Sequence, residues 1–307
     1  MLAALSRITL ALDYPTRPVR LIVGFFAGGL SDIMARLIAQ PLSERLGQQV
    51  IVDDRPGAGS NIATELVTKA PPDGYTLLLV PASATINVTL YDNLNFNFSR
   101  DIAPVASISR TPGVMVVNLA LPVRTVPEFI AYAKANPGKI NFASAGTGSL
   151  PHVAGELFKL MTGLNLVQVQ YRSNYFPDLI AGQVQVSFAT MPSAIEFVRA
   201  GKLRALAVTG AAPSEALPDV PTVSEFVPGY EADAWNGVGA PANTPSDIIE
   251  KLNKQINAAL AEPAMQVRLA ELGSKPLSMT PSEFGKFIAV EIEKWAKVIR
   301  AAGIKAE

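Results

Sequence analysis

From residue 20 onward the chain alternates short apolar runs with longer stretches in which apolar residues recur every three or four positions. RLIVGFF (20–26) and YTLLLV (75–80) are unbroken apolar runs of the kind that a parallel sheet buries on both faces, and VIVDD (50–54) is a shorter one. Between them Ile33, Leu37, Ile38 and Leu42 repeat at helical spacing, as do Ile62, Leu66, Val67 and Ala70. Strand, glycine-rich turn and helix, repeated with short spacers, predict parallel α/β units.

The helix starts carry their own signals. Thr125-Val-Pro-Glu128 and Thr280-Pro-Ser-Glu283 read as capping boxes, in which the Thr oxygen and the Glu carboxylate each satisfy an orphan backbone N–H. Thr244-Pro-Ser-Asp247 is a weaker version. The last third then predicts a helix over 245–261, a break at Glu262-Pro263, and helices to about Ala302, ending at Gly303.

Composition narrows the function. At 307 residues the chain is long enough for two domains, and 49% apolar against 17% charged residues supports sizeable cores. Lys plus Arg equals Asp plus Glu at 26 each, so no basic surplus exists to hold nucleic acid or an anionic membrane. There is no Cys and one His, His152, which removes thiolate catalysis and leaves zinc short of ligands. No cofactor or metal is expected. MLAALSRITLALD is too short to span a bilayer and lacks the basic start and cleavage site of a complete secretory signal. Residues 1–13 read as a signal-peptide remnant or a misplaced start, or as an ordinary amphipathic helix; no direct membrane insertion is expected.

Three glycine-rich turns each lead into a predicted helix: Ala27-Gly28-Gly29-Leu30-Ser31-Asp32, Gly57-Ala-Gly-Ser-Asn61, and Ser144-Ala-Gly146-Thr147-Gly148-Ser149. Glycine lets backbone approach a ligand, and first-turn N–H groups with the helix dipole favour an anion by about 0.3–1 kcal/mol per helix end. Each turn alone is equally well a tight βα connection; three together suggest a carboxylate held between lobes. Gly146 and Gly148, like Gly57 and Gly59, lack the third glycine of a dinucleotide fingerprint, and neither a Walker ending nor a G-x-S-x-G elbow occurs. His152, in the first turn of its helix, reads as a neutral hydrogen-bonding residue at the cleft rim or as a cap. Asp32 reads as dipole compensation.

At these loops the sequence resembles the tripartite tricarboxylate transporter receptor family, the Bug-type periplasmic solute-binding proteins. YPTRPVRLIV, FAGGLSDIMAR, VIVDDRPGAGSNIATELV, PPDGYTLLL, ASAGTGSLPHVAGELFK, AGKLRALAVT and LPDVPTVSEFVPGYEADAW carry the likeness, in order, from Tyr14 to Lys305. The resemblance implies an α/β fold like the type II periplasmic binding proteins, with two lobes around a ligand cleft and crossings near Val114 and Glu231. Lobe 1 would hold 14–114 plus 231–307, and lobe 2 115–230. It also implies a monomeric periplasmic receptor that passes a small carboxylate to inner-membrane permease subunits without making or breaking a bond.

The resemblance places first-lobe contacts at Phe25, Phe26, Ala27, Gly28, Gly29, Leu30 and Ser31, and at Ala82, Ser83, Ala84 and Thr85. The second lobe would offer Ser144, Gly146, Thr147, Gly148, Ser149, His152 and Tyr171. Four departures from the family pattern bear on the ligand. Val23-Gly24-Phe25-Phe26 replaces Val-Pro-Phe-Ala, Leu30 stands where Thr, Ser or Pro is common, and Ser173-Asn174-Tyr175-Phe176 shortens the segment after Tyr171-Arg172. Ala189 stands where the family usually has an Asp that pairs with a ligand amino group. Amino acids are therefore expected to bind poorly, and an aromatic acid or longer dicarboxylate to bind better. A ligand-sensing partner of a membrane signalling protein is the alternative reading, and an enzyme on the same scaffold is disfavoured by the scarcity of titratable cleft residues.

Overall fold

The computed structural model describes residues 14–171 and 174–306, so the run expected as a leader remnant lies outside the described residues. β1 (Val19–Val23) feeds α1 (Leu30–Leu46), and β2 (Val50–Asp54) feeds α2 (Asn61–Thr68). β3 (Thr76–Pro81) leads to α3 (Ser83–Leu90), and a short α4 (Phe98–Asp101) opens β4 (Ile102–Asn118). β1 stops at Val23, opposite Asp54, although the apolar run continues to Phe26. The cause is local. A Cβ on Gly24 would lie 2.5 Å from the Ser60 Cα, so the chain leaves the sheet where only glycine fits.

The next segment repeats the strand–helix alternation through α5 (Val126–Ala135), β5 (Asn141–Ser144), α6 (Leu150–Thr162), β6 (Val167–Gln170) and α7 (Phe176–Ala181). It closes with β7 (Val186–Thr190), α8 (Met191–Arg199) and β8 (Leu203–Val208). β9 (Asp233–Pro241) returns the chain to the first sheet, followed by α9 (Ser246–Leu260), α10 (Pro263–Glu271), β10 (Lys275–Pro276) and α11 (Pro281–Ala302). The first sheet runs β2-β1-β3-β9-β4 with β10 on the other edge of β4, and the second runs β8-β4-β7-β5-β6.

β4 belongs to both sheets. It pairs with β9 as far as Pro112, opposite Asp233, and with β7 and β8 from Gly113 onward. Thr209 fastens the two crossings: its hydroxyl accepts the Gly113 N–H and donates to the Ala232 carbonyl, both at 2.7 Å. Each sheet is covered by helices. Leu21, Leu79, Ile38 and Leu252 sit in one core, and Phe129, Phe142, Phe158 and Phe188 in another.

One element joins the lobes beyond the crossings. Phe284 and Ile288 of α11 pack with Ile22 and Trp235 of the first lobe, whereas Trp295, Val298 and Ile299 pack into the core that holds Phe129 and Phe142. The expected division gives 231–307 to lobe 1; the last two turns of α11, from Trp295, pack into the core that holds Phe129 and Phe142. Periodicity shows a helix its apolar face and says nothing about which neighbour covers it.

The caps differ in detail from expectation. Thr280 and Glu283 form the reciprocal box. Thr125 accepts the Glu128 N–H, but the Glu128 carboxylate takes the N–H of Arg124, one residue before the cap. Thr244 donates to the Pro241 carbonyl instead of capping α9, which begins at Ser246 after Pro245.

Candidate functional site

The β1–α1 turn projects from the first lobe. Phe25, Leu30 and Ser31 are half-buried, while Ala27, Gly28 and Gly29 are exposed and Phe26 is 77% exposed. Asp32 shapes the turn from beneath. It is 3% exposed; its Oδ2 accepts the Gly28 N–H at 2.7 Å and its Oδ1 lies 2.7 Å from Arg36 Nε. Gly28 adopts a φ of +82°, which this bond holds in place. The Gly29 N–H goes to the Phe26 carbonyl. The N–H groups of Leu30 and Ser31 meet no acceptor among the described residues, and α1 has no side-chain cap. Replacing Asp32 with Ala frees the turn, and affinity for a carboxylate should fall about tenfold, the loss of one charge-assisted bond. Calorimetry on Asp32→Ala and Asp32→Asn checks this: Asn keeps an acceptor and should bind nearly as wild type, and equal binding by all three would remove Asp32 from the site.

The start of α3 lies beside this turn. Ala82 donates its N–H to the Trp235 carbonyl at 3.0 Å, and the Thr85 hydroxyl returns to the Ala82 carbonyl at 2.7 Å. Ser83 is half-buried and Ala84 buried. Ser83 and Asn87 both donate to the Gly59 carbonyl, so the second glycine-rich turn props α3. Ser31 reaches Asn236 of β9 at 3.2 Å. Asn87, Asn236 and Trp235 were not legible as site residues, because each acts through a partner distant in sequence.

On the second lobe, hydroxyls and glycines are fixed by β6. Gln168 donates to Ser144 Oγ at 2.6 Å, and Thr147 donates to Gln170 at 2.9 Å; the two glutamines share one face of the strand. Gly146 and Gly148 have φ values of +114° and +71°. The Gly148 N–H donates to His152 Nδ1 at 3.2 Å, which puts the imidazole proton on Nε2. Burial lowers the His152 pKa, against the attraction of Glu156, so the ring is a neutral acceptor that holds the loop. Ser149 precedes α6 without capping it, and its hydroxyl is buried with no partner among the described residues. Tyr171 donates to Asp178 at 2.7 Å; burial first, then this carboxylate, pushes its phenol up to about 12.

The lobes meet here. A Cβ on Gly148 would lie 2.3 Å from Leu90 Cδ2 of α3, and Ile86 and Leu90 belong to the second lobe's core. Ala189 lies on β7, in a cluster with Ala143 against which Tyr171 packs. It pairs with Val114 of β4 and is enclosed with Val208 and Met191, with no exposed surface. Cavities of 370 and 830 Å3 lie elsewhere, one lined by Pro112, Glu215 and Lys275 and the other between α3 and α11.

Five helices of eight residues or more, α1, α2, α3, α6 and α8, follow β1, β2, β3, β5 and β7 and have no side-chain cap among the described residues. α5 and α11, which begin elsewhere, are capped by Thr125 and Thr280, although α9 and α10 are not. Free first-turn N–H groups at the carboxyl edge of parallel strands suit an anion.

Two α/β lobes joined by antiparallel crossings, with such turns at their facing edges, define a type II periplasmic binding protein fold. Residues 34–304 match the tripartite tricarboxylate transporter family receptor, and the chain belongs to that family. It is 39% identical over 297 residues to BugT of Bordetella pertussis, covering 95% of this chain and 91% of that protein. Among solved structures it is similar to an R. palustris protein with adipate, with a TM-score of 0.83 and 37% identity over 95% of this chain and 99% of that one. It also resembles MatC from Rhodopseudomonas palustris with bound malate, with a TM-score of 0.78 and 29% identity over 93% and 100%. These relatives are solute-binding proteins, and the chain is a solute-binding receptor, not an enzyme.

Proposed function

We propose that the protein captures a dicarboxylate of about adipate length in the periplasm, between the β1–α1 and β5–α6 turns, and hands it to the permease subunits of a tripartite tricarboxylate-type transporter. The uncapped starts of α1, α3, α6 and α8 carry this reading, because they supply N–H donors and dipole charge for carboxylates without a buried Lys or Arg. Contacts would come from Phe25–Ser31, Ala82–Thr85, Ser144–Ser149 and Tyr171, with His152 acting through Gly148. Phe26 and Leu30 add apolar surface at about 25 cal/mol per Å2 buried, which favours a hydrocarbon body between the charged ends. The adipate in the R. palustris relative has that form.

Native mass spectrometry of protein purified without added acids tests the reading. A retained mass matching a straight-chain dicarboxylate supports it. Retention of aspartate or glutamate, or displacement of the retained molecule by those amino acids but not by adipate, would contradict the ligand class.

A further inference from the structure

Glu291 is a carboxylate buried to 4% exposure in α11, outside every loop described above. Its Oε2 accepts the indole N–H of Trp295 at 3.0 Å and that of Trp235 at 3.2 Å, and Lys294 pairs with its Oε1. These are the two tryptophans of the chain. They sit in different lobes. Trp235 packs edge-on against Phe284 and Phe287, with centroids 5.8 and 5.1 Å away, while Trp295 lies in the second lobe's core. One carboxylate oxygen therefore joins a first-lobe ring to a second-lobe ring.

The first of these rings leads to the ligand turns. The Trp235 carbonyl accepts the Ala82 N–H that opens α3, and the next residue, Asn236, accepts the Ser31 hydroxyl. We propose that Glu291 is a positioning residue for the ligand turns: by holding both indoles it fixes Trp235 and Asn236 of β9, and through them sets Ala82 and Ser31 in step with the second lobe. Two indole donors on one oxygen are best served by a charged acceptor, since charge-assisted bonds are roughly twice as strong as neutral ones. α11 rests on both lobes, so the link through Glu291 is reciprocal.

The inference rests on the proposed carboxylate reading, and its test separates the two. Glu291→Gln keeps an oxygen for both indoles and gives up the Lys294 pair; Glu291→Leu leaves two buried indole N–H groups without an acceptor. The probes are adipate affinity by calorimetry and exchange of the Ala82 amide in ligand-free protein. Glu291→Gln should stay within about threefold of wild type in both, whereas Glu291→Leu should bind adipate about tenfold more weakly and exchange Ala82 about tenfold faster. A Glu291→Leu protein that melts earlier but keeps wild-type affinity and Ala82 exchange would reduce Glu291 to packing and overturn the proposal. If that variant does not fold, Trp235→Phe, which leaves Glu291 bound to Trp295, is read the same way: weaker binding and faster Ala82 exchange support the proposal, and wild-type values overturn it. If wild-type protein fails to bind adipate, the ligand class falls, while the exchange measurement still decides the role of Glu291.

Discussion

A Gly148→Val protein should lose carboxylate binding by about a hundredfold while both lobes stay folded. Two effects combine. A valine Cβ would sit 2.3 Å from Leu90 Cδ2, and Gly148 has a φ of +71° that a β-branched residue rarely adopts. The loop must then move away from α3, and the Gly148 N–H leaves His152. Strain at such a position is of order 1–3 kcal/mol, and overpacking adds a similar amount, which together give the hundredfold figure. Leu90→Ala in the same chain removes the clash but not the φ strain, so the double variant should recover part of the loss. Calorimetry with adipate on folded single and double variants checks both. Near wild-type affinity in Gly148→Val would mean that this loop is a turn and no more.

The second large effect concerns pH. Asp233 opens β9 at the second crossing, 5% exposed, with its Oδ1 unpartnered among the described residues. Burial pushes its pKa up to about 7, beyond what Arg110, 3.8 Å away on β4, offsets. Arg110 is drawn toward Glu231 at 2.9 Å, and Glu231 and Glu291 raise the Asp233 pKa further while Lys294 lowers it. The sign follows from linkage. The folded state prefers the protonated acid, so this stabilisation is full below the unfolded pKa near 4 and is lost as pH rises through about 7. Three pKa units correspond to about 4 kcal/mol at most. Asp233→Asn should therefore be about as stable as wild type at low pH and more stable at pH 8, as read from paired denaturant titrations across that window. Parallel profiles for the two proteins would refute the assignment.

Much of this scaffold was legible because its signals are local. VIVDD is β2 with the expected ends, since a short strand followed directly by Arg55-Pro56 has little freedom of boundary. The glycine-rich turns precede α1, α2 and α6 as their spacing predicts. β4 was harder to see. Pro104 and Pro112 interrupt its 17 residues, yet both are accommodated, Pro104 at a register shift against β9 and Pro112 where the partner strand changes.

The site was legible in its donors and not in its supports. Gly28 and Gly148 announce backbone approach, but their N–H groups go to Asp32 and His152. Ser31 and Asn236 are 205 positions apart, and Trp235 and Glu291 are 56 apart. No periodicity links such pairs, because hydrogen bonds of that span are set by how the sheets cross. Ala189 was expected at the ligand and is enclosed by Val114, Val208 and Met191, since alternation on β7 turns Ser187 and Ala189 away from the face that carries Val186 and Phe188.

Calorimetric titration with adipate and with adipamide, its uncharged diamide of equal length, addresses the central claim that helix N-termini hold the charged ends of a dicarboxylate. The account predicts that adipate binds, and that adipamide binds at least about a hundredfold more weakly, since each helix start contributes up to about 2 kcal/mol only to an anion. Equal binding of the two, or binding of neither, would contradict it.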